Sequence, residues 1–179
     1  MKVTETKLTG VLILEPRVFH DPRGFFLESY NEKAMAEAGI RERFVQDNHS
    51  FSRRSVLRGL HYQVPAQGKL VRVVVGEIFD VAVDLRRSSA TFGRWEGVAL
   101  SEANQKMLWI PPGLAHGFLV LSEGAHVLYK ATAAYDSKAE RTIQWDDPVL
   151  GIDWQITEPP TTSARDSLGT PFREAEVFE

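Results

Sequence analysis

From residue 69 onward the chain is a quick succession of short alternating apolar runs separated by turn residues, and few folds can accommodate that. Residues 70–75 and 78–85 flank Gly76-Glu77, which predicts a tight hairpin. In the second run Phe79, Val81, Val83 and Leu85 share one face, while Asp80 and Asp84 share the other with Ile78 and Ala82. Further strands are predicted over 95–100, 106–110, 118–121 and 126–135, divided by Ser101-Glu102-Ala103-Asn104, Pro111-Pro112-Gly113 and Ser122-Glu123-Gly124. So many short strands with almost no helix predict a β-sandwich or barrel.

The N-terminal third fits the same architecture. Residues 11–14 predict a strand stopped by Pro16, and Asp21-Pro22-Arg23-Gly24 marks a turn before the aromatic run at 25–30. Asn31 is placed to cap a short helix over 32–38, which Gly39 ends. Residues 44–50 are polar enough for a strand facing a wet cavity. From Asp146 the chain is richer in Pro, Thr and Asp, which predicts an irregular tail with a short helix near Thr162-Ser163 that packs back on the body. There is no repeat or linker, and 179 residues fit one domain, 1–179.

Composition removes several function classes. A net charge of -3 offers no basic excess for a nucleic-acid backbone. The start lacks an apolar leader, and no run approaches the ~20 apolar residues of a membrane span, so a cytoplasmic protein is expected. Cysteine is absent, which rules out disulfides, thiolate metal sites and thiol nucleophiles.

Chemistry concentrates in Arg58-Gly59-Leu60-His61-Tyr62-Gln63 and Gln67-Gly68-Lys69-Leu70-Val71-Arg72. Burying an imidazole, an ammonium and two guanidiniums is costly unless something anionic meets them. An imidazole titrates near neutrality and a fixed ammonium can steady a developing anion, the pairing a proton-abstracting enzyme needs. Arg58 and His61 are an odd number of residues apart, so a flat strand would put them on opposite faces. Either a bulge at Gly59 re-aims one of them, or Arg58 works from a strand end.

Of the five histidines, His116 sits in Pro111-Pro112-Gly113-Leu114-Ala115-His116-Gly117. The Pro-x-Gly-x-x-His spacing resembles the second motif of the cupin superfamily, whose fold is a double-stranded β-helix, or jelly roll. A metal cupin would carry His-x-His and a downstream Glu in its first motif. Here those positions read His61-Tyr62-Gln63 and Lys69, and a cation at a ligand position repels a metal ion. No catalytic metal and no cofactor are expected.

A narrower resemblance rests on several motifs together. Arg23-Gly24-Phe25-Phe26-x-Glu28, Gln46-Asp47-Asn48-His49-Ser50, Arg58-Gly59-Leu60-His61, Gln67-Gly68-Lys69-Leu70-Val71, Trp109-Ile110-Pro111-x-Gly113-x-Ala115-His116-Gly117-Phe118, Tyr129-Lys130-Ala131-Thr132 and Ser163-x-Arg165-Asp166 resemble the dTDP-4-dehydrorhamnose 3,5-epimerases. The likeness runs from about residue 8 to about residue 170. It implies a mainly β, cupin-type jelly roll with a few short helices. It also implies inversion of C3 and C5 of dTDP-4-dehydro-6-deoxy-D-glucose through an enolate, in a homodimer with residues 8–14 pairing across subunits.

The resemblance further implies His61 as base, Asp166 as its orienting carboxylate, Lys69 facing the oxyanion and Tyr129 as acid from the far face. Tyr135, on the same strand face as Tyr129 by period two, would stack on thymine. Arg23, Arg58 and Arg165 are candidates for diphosphate and sugar contacts. Glu28, Gln46, Asn48, Lys69, His116 and Glu140 complete the substrate-contact set, Glu140 lying where a solvated turn is an equal reading. His49 has no catalytic role, and His126 reads as surface.

Three rivals stay open: a mono-epimerase of a deoxysugar pathway, a metal-dependent cupin isomerase or dioxygenase, and a non-catalytic sugar-nucleotide binding module. The broken ligand set predicts that epimerisation survives exhaustive chelation. Loss of turnover with EDTA, restored by zinc, iron or manganese, is the result that contradicts it.

Overall fold

The computed structural model describes residues 1–179 and is built almost entirely from antiparallel strands. In chain order these are β1 (Lys2–Glu5), β2 (Leu12–Glu15), β3 (Val18–Asp21), β4 (Gly24–Leu27), β5 (Gln46–Arg53), β6 (Leu57–Gln63), β7 (Lys69–Val75), β8 (Glu77–Asp84), β9 (Trp95–Ser101), β10 (Met107–Ile110), β11 (Leu114–Val120), β12 (Gly124–Ala131) and β13 (Glu140–Thr142). One helix, α1 (Glu32–Glu37), begins at Asn31, whose side chain accepts from the N–H of Ala34. Two single-turn 3-10 helices, Asp166–Leu168 and Phe172–Glu174, lie in the tail.

Six strands form one sheet in the order β1-β2-β10-β7-β12-β5, and five form a second in the order β13-β6-β11-β8-β9. The two face each other as a jelly-roll sandwich, the fold the resemblance implies. Their inward positions supply the main core, including Val71, Val73, Ile78, Ala82, Leu108, Phe118, Val120 and Val127. Outside the six-stranded sheet, Met35 of α1 and Ile40 cover Leu14, Leu70, Met107 and Trp109. Outside the five-stranded sheet, the tail lays Leu150 and Trp154 over Phe79, Val81, Val83 and Leu85. The alternation predicted for 78–85 is realised: one face meets the tail and the other the sandwich core.

Three sequence expectations change. β7 and β8 do not form a hairpin, because they belong to opposite sheets. Both carry apolar side chains for the same core, so the chain turns the corner at Gly76 (φ +82°) and closes the sandwich instead of pairing with itself. A Cβ at Gly76 would sit 2.1 Å from the Gly124 carbonyl, on the neighbouring corner between β11 and β12. The strand predicted over 126–135 ends at Ala131. There the side-chain amides of Gln67 and Gln63 donate to the carbonyls of Ala133 and Ala134, lifting the chain off the sheet. Tyr135 therefore lies in a loop, and the period-two argument that placed it beside Tyr129 does not apply. Across-subunit pairing through residues 8–14 is also not free to form, since β2 is flanked by β1 and β10 of its own chain.

Of the two alternatives for Arg58 and His61, the bulge at Gly59 is the one present. Along β6 and β11, Leu57 pairs with Leu119, Arg58 with Phe118 and His61 with His116, so β6 carries one extra residue. Leu57, Leu60 and Tyr62 pack under the tail, while Arg58 and His61 turn to the other face. Gly59 (φ +123°) makes this possible, because a Cβ there would fall 2.6 Å from the Gly117 Cα. Gly59→Ala is expected to cost about 2–4 kcal/mol in urea unfolding and to lower kcat more than the stability loss explains. Wild-type turnover in this variant would show that the bulge does not aim the base.

Candidate active site

Polar side chains on the inward faces of the sandwich include His61 of β6, Lys69 of β7, Asp80 of β8, His116 of β11 and Tyr129 of β12. Beside this group opens a cavity of about 380 Å³ lined by Arg58, His61, Tyr135, Glu140, Arg165 and Asp166, with Thr161 to Ser163 along its edge. The sequence-predicted base, its carboxylate and four of the predicted contact residues thus share one space.

His61 Nε2 stands 2.5 Å from Asp166 Oδ1. Asp166 is 3% exposed, and burial alone would push its carboxyl up. Hydrogen bonds from His61, the Ser163 hydroxyl and the Gly59 backbone outweigh burial and hold it below the usual carboxylate range. An ionised Asp166 fixes the proton of a neutral His61 on Nε2, which leaves Nδ1 as the basic nitrogen.

Asp166 comes from the tail, and the tail is held on both sides of it. Leu57 N–H donates to the Thr161 carbonyl (2.9 Å) and Thr161 N–H to Ser55 (2.8 Å). Beyond the 3-10 turn, Gln144 N–H donates to Thr170 (3.0 Å) and Thr170 N–H to Thr142 (2.9 Å). Ser163 Oγ accepts from the Asp166 N–H at 3.1 Å, which starts the turn.

Lys69 is 9% exposed and its ammonium makes no hydrogen bond within the chain. Burial pushes its pKa down to about 8, with Glu140 and Asp80 acting the other way. The Lys69 Nζ lies 5.8 Å from the centre of the Tyr129 ring. Burial raises the Tyr129 phenol, as do the Glu140 and Tyr135 charges, while Arg58 opposes them. A phenol shifted upward stays protonated at neutral pH and can act as an acid. Three of the groups that bear on it, Glu140, Arg58 and Tyr135, line the His61 cavity.

Glu140 is no solvated turn. It starts β13, accepts from the Tyr135 hydroxyl at 2.8 Å and is bridged by Arg165. Arg58 Nε donates to Ser52 Oγ (2.9 Å), and its Nη2 donates to the Phe51 carbonyl (3.3 Å). Gln46 accepts from the Tyr135 N–H (2.8 Å) and donates to Asn48 Oδ1 (2.8 Å), so it holds the loop that carries Tyr135. His116 is only 6% exposed and sits behind the cavity wall, Nε2 2.7 Å from Asp80 Oδ1.

Arg23 and Glu28 do not reach this cavity. Arg23 is 89% exposed in its side chain and pairs with Asp21, and Glu28 accepts from Asn31 at 3.2 Å. His49 and His126 meet each other at 2.9 Å, where His49 is exposed beside Phe51. No three His, Asp or Glu side chains converge in a group able to hold a metal ion. Gln63, at the would-be second ligand position, is committed to the 133–136 loop through Ala134 and Asp136.

Comparison with known proteins agrees with this geometry. The sequence model of the family described as dTDP-4-dehydrorhamnose 3,5-epimerase matches residues 5–174. The chain belongs to the dTDP-4-dehydrorhamnose 3,5-epimerase family. It is 56% identical to the enzyme of that name from Pseudomonas aeruginosa, over 99% of each chain, and 55% identical to that of Salmonella typhimurium, over 100% of each. Among solved structures, RmlC of Legionella pneumophila in complex with dTDP-4-keto-L-rhamnose superposes with a TM-score of 0.95 at 47% identity, over 98% of this chain and 94% of that one. ChmJ, a 3'-monoepimerase from Streptomyces bikiniensis in complex with dTDP-quinovose, gives 0.88 at 31%, over 94% and 86%. The fold is therefore shared by single and double epimerases, and the product depends on details within the cavity.

Sequence reading missed Asp80, Ser52, Gln63 and Ser163. Asp80 carried a signal, as an acid on the face it shares with Ile78, Ala82 and Asp84, and Ser163 stood within a motif. Asp166→Asn is expected to lower kcat by about 10²–10⁴ through loss of the His61 tautomer, with the melting temperature little changed. Near-wild-type kcat would remove Asp166 from its orienting role.

Proposed function

We propose that this cavity inverts C3 and C5 of dTDP-4-dehydro-6-deoxy-D-glucose by proton transfer through an enolate, giving dTDP-4-dehydro-L-rhamnose. The pairing of His61 with a buried, ionised Asp166 beside an unpartnered buried ammonium carries this reading. The C4 ketone acidifies the C–H bonds at both neighbours. His61 Nδ1 takes the proton, the bond electrons move onto the C4 oxygen, and Lys69 stabilises that oxyanion. Tyr129 returns a proton to the opposite face of the same carbon; its phenolate then regains a proton from solvent and the His61 imidazolium loses its own to solvent, resetting both groups for the second carbon. Residues 1–179 act as one domain in this reading, with no metal or cofactor in the steps.

The nucleotide end is read by charge and stacking. Arg58 and Arg165 flank the cavity for the diphosphate, and Tyr135, 54% exposed, offers a ring face at its mouth. Gln46 and Asn48 face the same side of β5 and position that loop. We read the assembly as a cytoplasmic homodimer. The β3–β4 hairpin exposes Phe19, Phe25 and Phe26 at 48%, 58% and 70%, an apolar surface that a second copy would cover. In such a dimer Arg23 and Glu28 are available to the neighbouring subunit's cavity rather than to their own. No helix is long and apolar enough to cross a membrane.

Deuterium incorporation from D2O, resolved by carbon, separates this reading from the single-inversion alternative that ChmJ represents. Wild type is expected to exchange and invert at both C3 and C5. His61→Ala is expected to abolish exchange at both carbons, and Tyr129→Phe to permit wash-in with little inversion. Exchange confined to one carbon would establish a mono-epimerase, and unimpaired turnover in either variant would remove that residue from its role.

A further inference from the structure

Asp80 is the most deeply enclosed carboxylate near the cavity, and none of the steps above uses it. It is 0% exposed, with Oδ1 accepting from His116 Nε2 at 2.7 Å and Oδ2 without any hydrogen-bond partner. A half-satisfied buried carboxylate destabilises the fold it sits in, so its presence calls for a compensating use. A group with a matching need is Lys69, a buried ammonium on which the Asp80 charge acts and which has no hydrogen-bond partner of its own.

The titratable groups around Lys69 come from five elements. Asp80 stands on β8, His116 on β11, Tyr129 on β12 and Glu140 on β13, with His61 of β6 next to His116. Glu140 is already matched by Arg165 and the Tyr135 hydroxyl. Burial pushes His116 down, so it is neutral at pH 7 and the Asp80–His116 pair keeps its negative charge. Of the two carboxylates whose charges act on the ammonium, Asp80 is thus the one left unneutralised.

We propose that Asp80 is a positioning residue that keeps Lys69 protonated in the closed sandwich, acting through its charge and never touching the substrate. The proposal rests on the reading of Lys69 as the group that steadies the enolate oxygen. Its sign follows directly. Lys69 serves only as the ammonium, so the rate falls as pH rises through its pKa, about 8 in the intact protein. Asp80 and Glu140 oppose the downward push of burial; without Asp80 the ammonium is lost at lower pH.

The test is the pH dependence of kcat for wild type, Asp80→Asn, Asp80→Ser and Lys69→Arg, with circular dichroism to confirm folding. Asn preserves the acceptor for His116 Nε2 and removes only the charge. The alkaline limb is expected to move down by about one pH unit in both Asp80 variants, about tenfold in rate on the limb. KM for the nucleotide sugar should stay within about twofold, and the rate should recover toward wild type near pH 6. A merely structural role would lower the whole profile without moving the limb, and that outcome overturns the proposal. So does failure of both neutral variants to fold, which would assign Asp80 to stability. Lys69→Arg separates the two levels of inference, because a guanidinium does not titrate in this range. If the wild-type limb persists unchanged in Lys69→Arg, the Lys69 reading fails. If it vanishes there but stays put in the Asp80 variants, only the Asp80 proposal fails.

Discussion

One extra residue on β6 decides what this molecule can do. Gly59 shifts the register against β11, so that Arg58 and His61 leave the strand on the same side while Leu57, Leu60 and Tyr62 stay beneath the tail. Without the shift, either the guanidinium or the imidazole would be driven into the apolar layer under Trp154 and Leu150. The close approach of Gly59 to Gly117 shows how tightly this geometry is enforced, since two glycines face each other where any side chain would collide.

Around that bulge the electrostatics are arranged before any ligand arrives. The base has its tautomer fixed by an ionised carboxylate, and the phenol is held in its protonated form by burial and nearby anions. The ammonium is kept where water reaches it poorly. In the proposed reaction the carboxylate, the phenol and the ammonium are thus already in the forms their steps require at neutral pH, and little reorganisation is left for the moment of reaction. The rigid source of this arrangement is the pair of sheets: three of the four groups stand on strands. The exception is Asp166, delivered by an irregular segment clamped at Thr161 and Thr170.

Much of this was legible in the chain itself. Alternation over 78–85 fixed which residues face the core, Asn31 marked the helix start, and the odd spacing of Arg58 and His61 left a bulge at Gly59 as one of two solutions. The corner at Gly76 was not legible, because a hairpin and a sheet-to-sheet crossing use the same local residues. Only the shared core, made of distant strands, chooses between them. Tyr135 escaped for a related reason: side-chain amides from Gln63 and Gln67 ended its strand, and no periodicity reports a competitor 66 or 71 residues away. Arg23 and Glu28 show the limit of motif transfer, since a motif names a residue without saying whose cavity it serves.

The attachment of the tail has a consequence for how activity is lost. Asp166 hangs between two isolated backbone bridges, whereas His61, Lys69 and Tyr129 stand in ladders continuous with the sandwich. Detaching residues 161–170 disturbs few of the core contacts between the sheets, yet it frees the imidazole from its carboxylate. Warming or mild denaturant would then silence the enzyme while its strands were still paired, and cooling would restore it by redocking ten residues.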